Sequence, residues 1–147
     1  MKPVITWILI ADGARARILE NAGPGQGLGE VTEFSQPPLR ARDIMADRPG
    51  RSFDTTGKGR SAMEPPTDPV EKREADFARS LADALEQKRR AGAFDRLILI
   101  AAPTALGDLR KALPEQLKRL VYAELAKDLT KVPNDEMPKH LEDVLAV

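Results

Sequence analysis

The chain has no cysteine and a single histidine, His140. Without thiols there is no disulfide, no thiolate nucleophile and no zinc site that needs sulfur, and the composition suits a reducing compartment. One histidine does not make a zinc site, and no nucleophile and orienting carboxylate accompany it in a pattern that marks a hydrolytic triad. His140 therefore reads as a surface or interface residue of the last helix. No metal and no cofactor is expected. Aromatic residues make up only 4% of the chain. The first apolar run, Val4 to Ala11, is too short to span a membrane and lacks the charged lead and small-residue cleavage site of a secretory signal. No membrane insertion is expected, and the chain reads as cytoplasmic. Net charge is missing too, since 23 basic residues balance 23 acidic ones. Binding to nucleic acid or to a membrane surface would have to come from a local patch.

What remains is enough for one domain with a real core: 147 residues, 41% of them hydrophobic. Val4 to Ala11 is apolar on both alternating faces and rich in β-branched residues, the pattern of a central strand. Asp12-Gly13 is a turn dipeptide, and Arg15 to Glu20 reads as the returning strand. Gly23 to Gly29 is a glycine-rich connection. Its Gly25-Gln26-Gly27-Leu28-Gly29 run looks like part of a phosphate loop, but a strand follows it where a dinucleotide fingerprint needs a helix. Glu30 to Phe34 alternates polar and apolar as a half-exposed third strand would. The chain thus opens as a three-stranded meander.

The stretch from Gln36 to Thr67 has no sustained period and is punctuated by eight proline and glycine residues. Loops this long are uncommon in compact domains and usually carry function or are disordered. Between Arg40 and Arg60 the basic residues Arg40, Arg42, Arg48, Arg51, Lys58 and Arg60 exceed the acidic Asp43, Asp47 and Asp54 by three. Arginines beside glycines suit close approach to phosphate. A solvated, charge-bearing loop is the plain alternative. Phe53 is the sole aromatic of the stretch, which argues against a base-stacking platform. Gly57-Lys58 fails as a P-loop in spacing and in context.

A long helix is expected from Pro69, with Asp68 as N-cap, Glu71 completing a capping box and Val70, Phe77, Ala78, Leu81 and Leu85 as its apolar stripe. Lys88, Arg89 and Arg90 suit its C-terminal dipole, and Gly92 can close it. Asp95 to Ala102 is a second apolar strand, placed parallel to the first because a helix precedes it. A short helix from Ala105 to Ala112 follows. In Leu117 to Leu129, periodicity favours helix over strand. A last helix is expected from Asp135 to about Leu145, capped by Asn134. Asp12 stands at the carboxyl end of the first strand, where open α/β sheets place functional groups. With Arg15 it forms a candidate sheet-end site. A metal nuclease there would need further carboxylates, for which Glu64, Asp68 and Asp108 are candidates. The plain alternative is a turn-forming aspartate.

Trp7 to Leu19, Asp47-Arg48-Pro49-Gly50-Arg51-Ser52-Phe53, Met63 to Pro69, Phe77-Ala78-Arg79, Leu97 to Pro103 and Lys127-Asp128-Leu129-Thr130 together resemble the bacterial host attachment protein family. That family is similar to the middle domain of archaeo-eukaryotic peptide chain release factors and to Pelota-type ribosome rescue factors. The resemblance covers nearly the whole chain. It implies one release-factor-middle-domain-like domain over residues 1–147, a ribonuclease-H-like α/β fold with a mixed sheet, and a strand over Leu120 to Leu125. It also implies that the 36–67 loop is the counterpart of the loop that carries the release factors' Gly-Gly-Gln tripeptide. Here Gly57-Lys58-Gly59-Arg60 stands at that place with no glutamine after paired glycines. The implied function is therefore a non-catalytic module binding RNA, with the ribosome or tRNA as partner and Arg48, Arg51, Lys58, Gly59 and Arg60 as phosphate contacts. The alternatives are a cytoplasmic interaction protein that affects attachment to host cells indirectly and, less favoured, a hydrolase.

Overall fold

The computed structural model describes residues 3–36 and 68–147. Five strands form one mixed sheet in the order β3-β2-β1-β4-β5. They are β1 (Thr6–Ala11), β2 (Arg15–Asn21), β3 (Gly29–Ser35), β4 (Arg96–Ala101) and β5 (Val121–Leu125). The first three strands make the expected antiparallel meander, and β4 lies parallel to β1, with Thr6 beside Arg96 and Ala11 beside Ala101. β1 and β4 lie side by side within the sheet and bury nearly every side chain, which accounts for their runs of unbroken apolar residues.

Two layers cover the sheet. On one face lie α1 (Pro69–Arg90), α2 (Pro103–Ala112) and the single turn α3 (Glu115–Lys118). α1 brings Phe77, Ala78, Leu81, Ala82 and Leu85 onto Trp7, Leu9, Leu97 and Leu99, while α2 adds Leu106 and Leu109. Trp7 stacks on Phe94 with ring centroids 4.8 Å apart, and its indole N–H donates to Glu20 Oε1 at 2.8 Å. On the other face the carboxyl-terminal part of the chain lays Leu129, Met137, Leu141 and Leu145 over Ile8, Ile10, Leu19, Ile98 and Ile100.

Residues 117–129 overturn the periodicity reading in favour of strand β5. Leu117 and Leu129 belong to opposite layers of the core, so the apparent helical stripe joins residues that never share a face. The last helix is also much shorter than expected. A 3-10 turn (Asn134–Glu136) leads into α4 (Met137–His140), and Asn134 does not cap it: its amide nitrogen donates to Glu30 Oε1 at 2.8 Å. Pro138 supports the first turn of α4, and His140 is exposed. The glycine-rich connection joins β2 to β3, with Gly25 and Gly27 in the left-handed region at φ 78° and 72°, and the N–H groups of both donate to the Val147 backbone oxygen.

Candidate functional site at the carboxyl end of β1

Asp12 and Arg15 mark a built corner of the molecule. The Asp12 Oδ1 accepts from the N–H groups of Ala14 and Arg15 at 2.8 and 2.7 Å, and its own N–H donates to the Arg15 carbonyl at 2.9 Å. One oxygen of the carboxylate is thereby spent on shaping the β1–β2 turn, as the turn-forming alternative has it. The other lies 3.4 Å from Thr130 Oγ1 and 4.0 Å from the Arg15 guanidinium, which is 60% exposed. Thr130 Oγ1 also donates to Asp128 Oδ1 at 2.6 Å. That bond and the Thr130 N–H hold the Asp128 carboxyl below its ordinary range.

The strand end before the 37–67 segment is tied to α1, the helix after it, at this corner. The Gln36 N–H donates to the Ala14 carbonyl at 3.0 Å, and its side-chain amide donates to the Arg73 carbonyl at 3.0 Å. At the far end Asp68 caps α1, accepting from the N–H groups of Val70 and Glu71. One turn into α1, Glu74 presses its side chain against Gly13. A Cβ at Gly13 would stand 2.6 Å from Glu74 Cδ, so the bare glycine lets the Glu74 side chain lie against the turn, and a larger residue there would push that side chain aside. Partial burial, then the carboxylates of Asp108, Asp12, Glu71 and Asp68, push the Glu74 carboxyl up. Glu74 and Asp108 line a cleft of about 460 Å³ between α1 and α2, together with Glu71, Thr104 and the cations Lys72, Arg79 and Lys111.

A second, polar cleft of about 440 Å³ opens on the other face, lined by Ile10, Arg15, Arg17, Glu33, Ser35 and Thr130 among others. Strand register builds it. Arg15 pairs with Ser35 and Arg17 with Glu33 across β2 and β3, and Arg17 lies beside Ile10 of β1. Arg17 Nη1 donates to the Thr130 carbonyl at 2.8 Å and Nη2 donates to the Val132 carbonyl, which pins the 130–132 loop over the sheet.

Arg48, Arg51, Lys58, Gly59 and Arg60, and with them Glu64, lie outside the described residues. Asp68 serves as the cap of α1. Asp12 and Asp108 enter no group of three metal-ligating side chains among the described residues. Sequence reasoning passed over Arg17, Ser35 and Glu74. The first two stand in alternating strands whose faces only the register assigns, and Glu74 stands in a helix as one charged residue among many. Asp128 and Thr130 had a signal in the Lys127-Asp128-Leu129-Thr130 motif.

The family model described as "protein required for attachment to host cells" matches residues 7–141. The chain belongs to this family. No curated protein matches the chain in sequence. Among solved structures, this member of the host attachment family is similar to an archaeal translation termination factor, with a TM-score of 0.51 and 13% identity over 95% of its own length and 38% of the factor's. It is also similar to a structure described only as an archaeal protein, at TM-score 0.50 and 14% identity, over 95% of its own length and 34% of that chain. At such identities the likeness is one of fold, and the chain spans little more than a third of either protein. Among the described residues no helix is long and apolar enough to cross a membrane.

Proposed function

We propose that this host attachment family member is a non-catalytic, RNA-binding module that works at the ribosome or on tRNA, with Arg48, Arg51, Lys58 and Arg60 as its phosphate contacts. The reading rests on one observation above all. Gln36, just before the basic segment, donates to Ala14 of the turn and to Arg73 of α1, and Glu74 in the second turn of α1 packs against Gly13, so the strand end before the segment and the helix after it are joined at one corner of the sheet. Exposed Arg15 stands at the same corner, beside the Asp12 carboxylate. The fold shared with a translation termination factor supports the choice of partner. The non-catalytic part rests on sequence, since Gly57-Lys58-Gly59-Arg60 has no glutamine after paired glycines.

Four phosphate contacts on single-stranded RNA, at about 0.7 released counterions each, predict a loss of affinity of about 50-fold between about 50 and 200 mM salt. Arg51→Ala with Lys58→Ala should reduce that loss to about sevenfold. Fluorescence anisotropy with labelled RNA and co-sedimentation with ribosomes measure both. Salt-independent binding, or a double variant that binds as the parent does, sinks the proposal. The family's description favours a second reading, a cytoplasmic interaction protein needed indirectly for attachment. In that case cells carrying the RNA-binding-deficient variant attach normally.

A further inference from the structure

We infer that the polar cleft between the β2–β3 end and the 130–132 loop is a phosphate subsite, with the Arg15 guanidinium and the Ser35 hydroxyl as the groups that hold the anion and Arg17 as the positive floor beneath it. The inference deepens the RNA-binding reading and rests on it for the source of the phosphate, but it concerns described residues only.

Arg17 is half-buried, and its Nε is buried without an acceptor. Its two terminal nitrogens go to backbone carbonyls of Thr130 and Val132. Among the described residues no carboxylate lies within ion-pair distance of it. A guanidinium withdrawn from water whose Nε has no acceptor keeps unmet hydrogen-bonding capacity beneath the cleft, with the charges of Glu30 and Glu33 close enough to interact with it. Glu33 stands across the strands from Arg17, whose charge works to lower its carboxyl, while Glu30 beside it acts in the opposite sense and prevails. The hydrogen bond from Glu30 and the Glu30 charge push the Glu33 carboxyl up.

Arg15 is the second cation, exposed and near the charges of Asp12 and Asp128. Its only ion pair among the described residues is the 4.0 Å approach to Asp12, whose other oxygen is committed to the turn. Arg15 and Ser35 are direct cross-strand partners on the same face of the sheet, so a donor fork and a hydroxyl donor face the cleft side by side. Planar guanidinium with a neighbouring hydroxyl is a common recognition set for phosphate oxygens. The cleft, at about 440 Å³, has room for a phosphate ester and its ribose.

The test is an NMR titration of the full chain, labelled with nitrogen-15, with inorganic phosphate and separately with a single-stranded RNA. Both ligands are expected to shift the amide signals of Arg15, Ser35 and Thr130. Arg15→Gln should weaken both by about tenfold while leaving the turn intact, because the turn uses the Arg15 backbone and not its side chain. Ser35→Ala should weaken them less, and Arg110→Gln, at an ion pair elsewhere on the surface, should change nothing. Phosphate that shifts the cleft while RNA fails to bind supports a small phosphate-ester site and overturns the RNA-binding reading. RNA that binds with the cleft signals unmoved and Arg15→Gln without effect overturns the subsite and leaves that reading standing. If neither ligand moves the cleft, the subsite is wrong.

Discussion

At the residue scale, Glu74 is the most informative side chain outside the sheet. Its pKa lies above the ordinary 4.5, raised by partial burial and by four neighbouring carboxylates. The folded state therefore holds the Glu74 proton more tightly than the unfolded state. Stability from this group is fully present below about 4.5 and is lost as pH rises through the higher folded value. Glu74→Gln removes the charge and keeps the shape against Gly13. The variant is expected to be more stable than the parent at neutral pH, with the difference shrinking toward pH 4. Urea midpoints across that range decide it, and a pH-independent difference would show that packing and not charge governs the site. Glu74 was illegible in the sequence because nothing local distinguishes it: its partners Gly13 and Asp108 come from a strand turn and another helix. Asp12 was legible as a turn residue because its hydrogen bonds are to its own next neighbours.

At the element scale, α1 carries its own punctuation. Asp68 accepts from two N–H groups, Pro69 opens the first turn, and the last turn holds Lys88, Arg89 and Arg90. Glu86 binds Arg89 and Arg90, which pull its carboxyl down to about 2, so this cluster keeps its charges through mild acid. Asp68→Ala should cost about 1 kcal/mol by loss of the cap, read as a lowered urea midpoint with an unchanged slope. A drop near zero would mean that the cap bonds are made equally well by water. Strong local signals of this kind made α1, β1 and β4 readable to within a residue or two. β5 was not readable by period, because it is a short edge strand whose neighbours Leu117 and Leu129 pack in different layers. The family resemblance supplied what local pattern lacked. The last helix is shorter than the spacing predicts for the opposite reason. Residues 135–145 have the apolar spacing of a helix, but they lie over the sheet as a short helix and turns, with Met137, Leu141 and Leu145 reaching the same core.

At the scale of the whole molecule, the sheet is a middle layer that needs both coverings. Ile8, Ile10, Ile98 and Ile100 are wholly buried by the carboxyl-terminal stretch, which has little regular structure to stabilise it alone. Leu141, with no exposed surface, should therefore behave as a core residue despite its position near the end of the sequence. Leu141→Ala is expected to cost about 3 kcal/mol, comparable to Leu85→Ala on the helical face. Thermal or urea unfolding compares them, and a cost under about 1 kcal/mol for Leu141 would show that this layer is a loose cover. The α/β class, the meander and the parallel β1–β4 pair were all present in the sequence as alternation, turn dipeptides and a helix between two apolar strands. The site was only half legible, because a cleft is made by register and by contacts between distant segments, which no window of residues contains.

The outer strands of the sheet carry one more consequence. β3 is exposed along nearly its whole length and bears Glu30 and Glu33, and its pairing with β2 slips at Ile18/Leu19. β5 at the opposite border is only five residues long and holds Glu124 against Arg110. Charge, irregular register and short length are the features that keep a sheet from growing by recruiting strands of a second molecule. The borders of this sheet are thus poor templates for self-association, and the chain should stay dispersed at concentrations where a flat, apolar-edged sheet would polymerise.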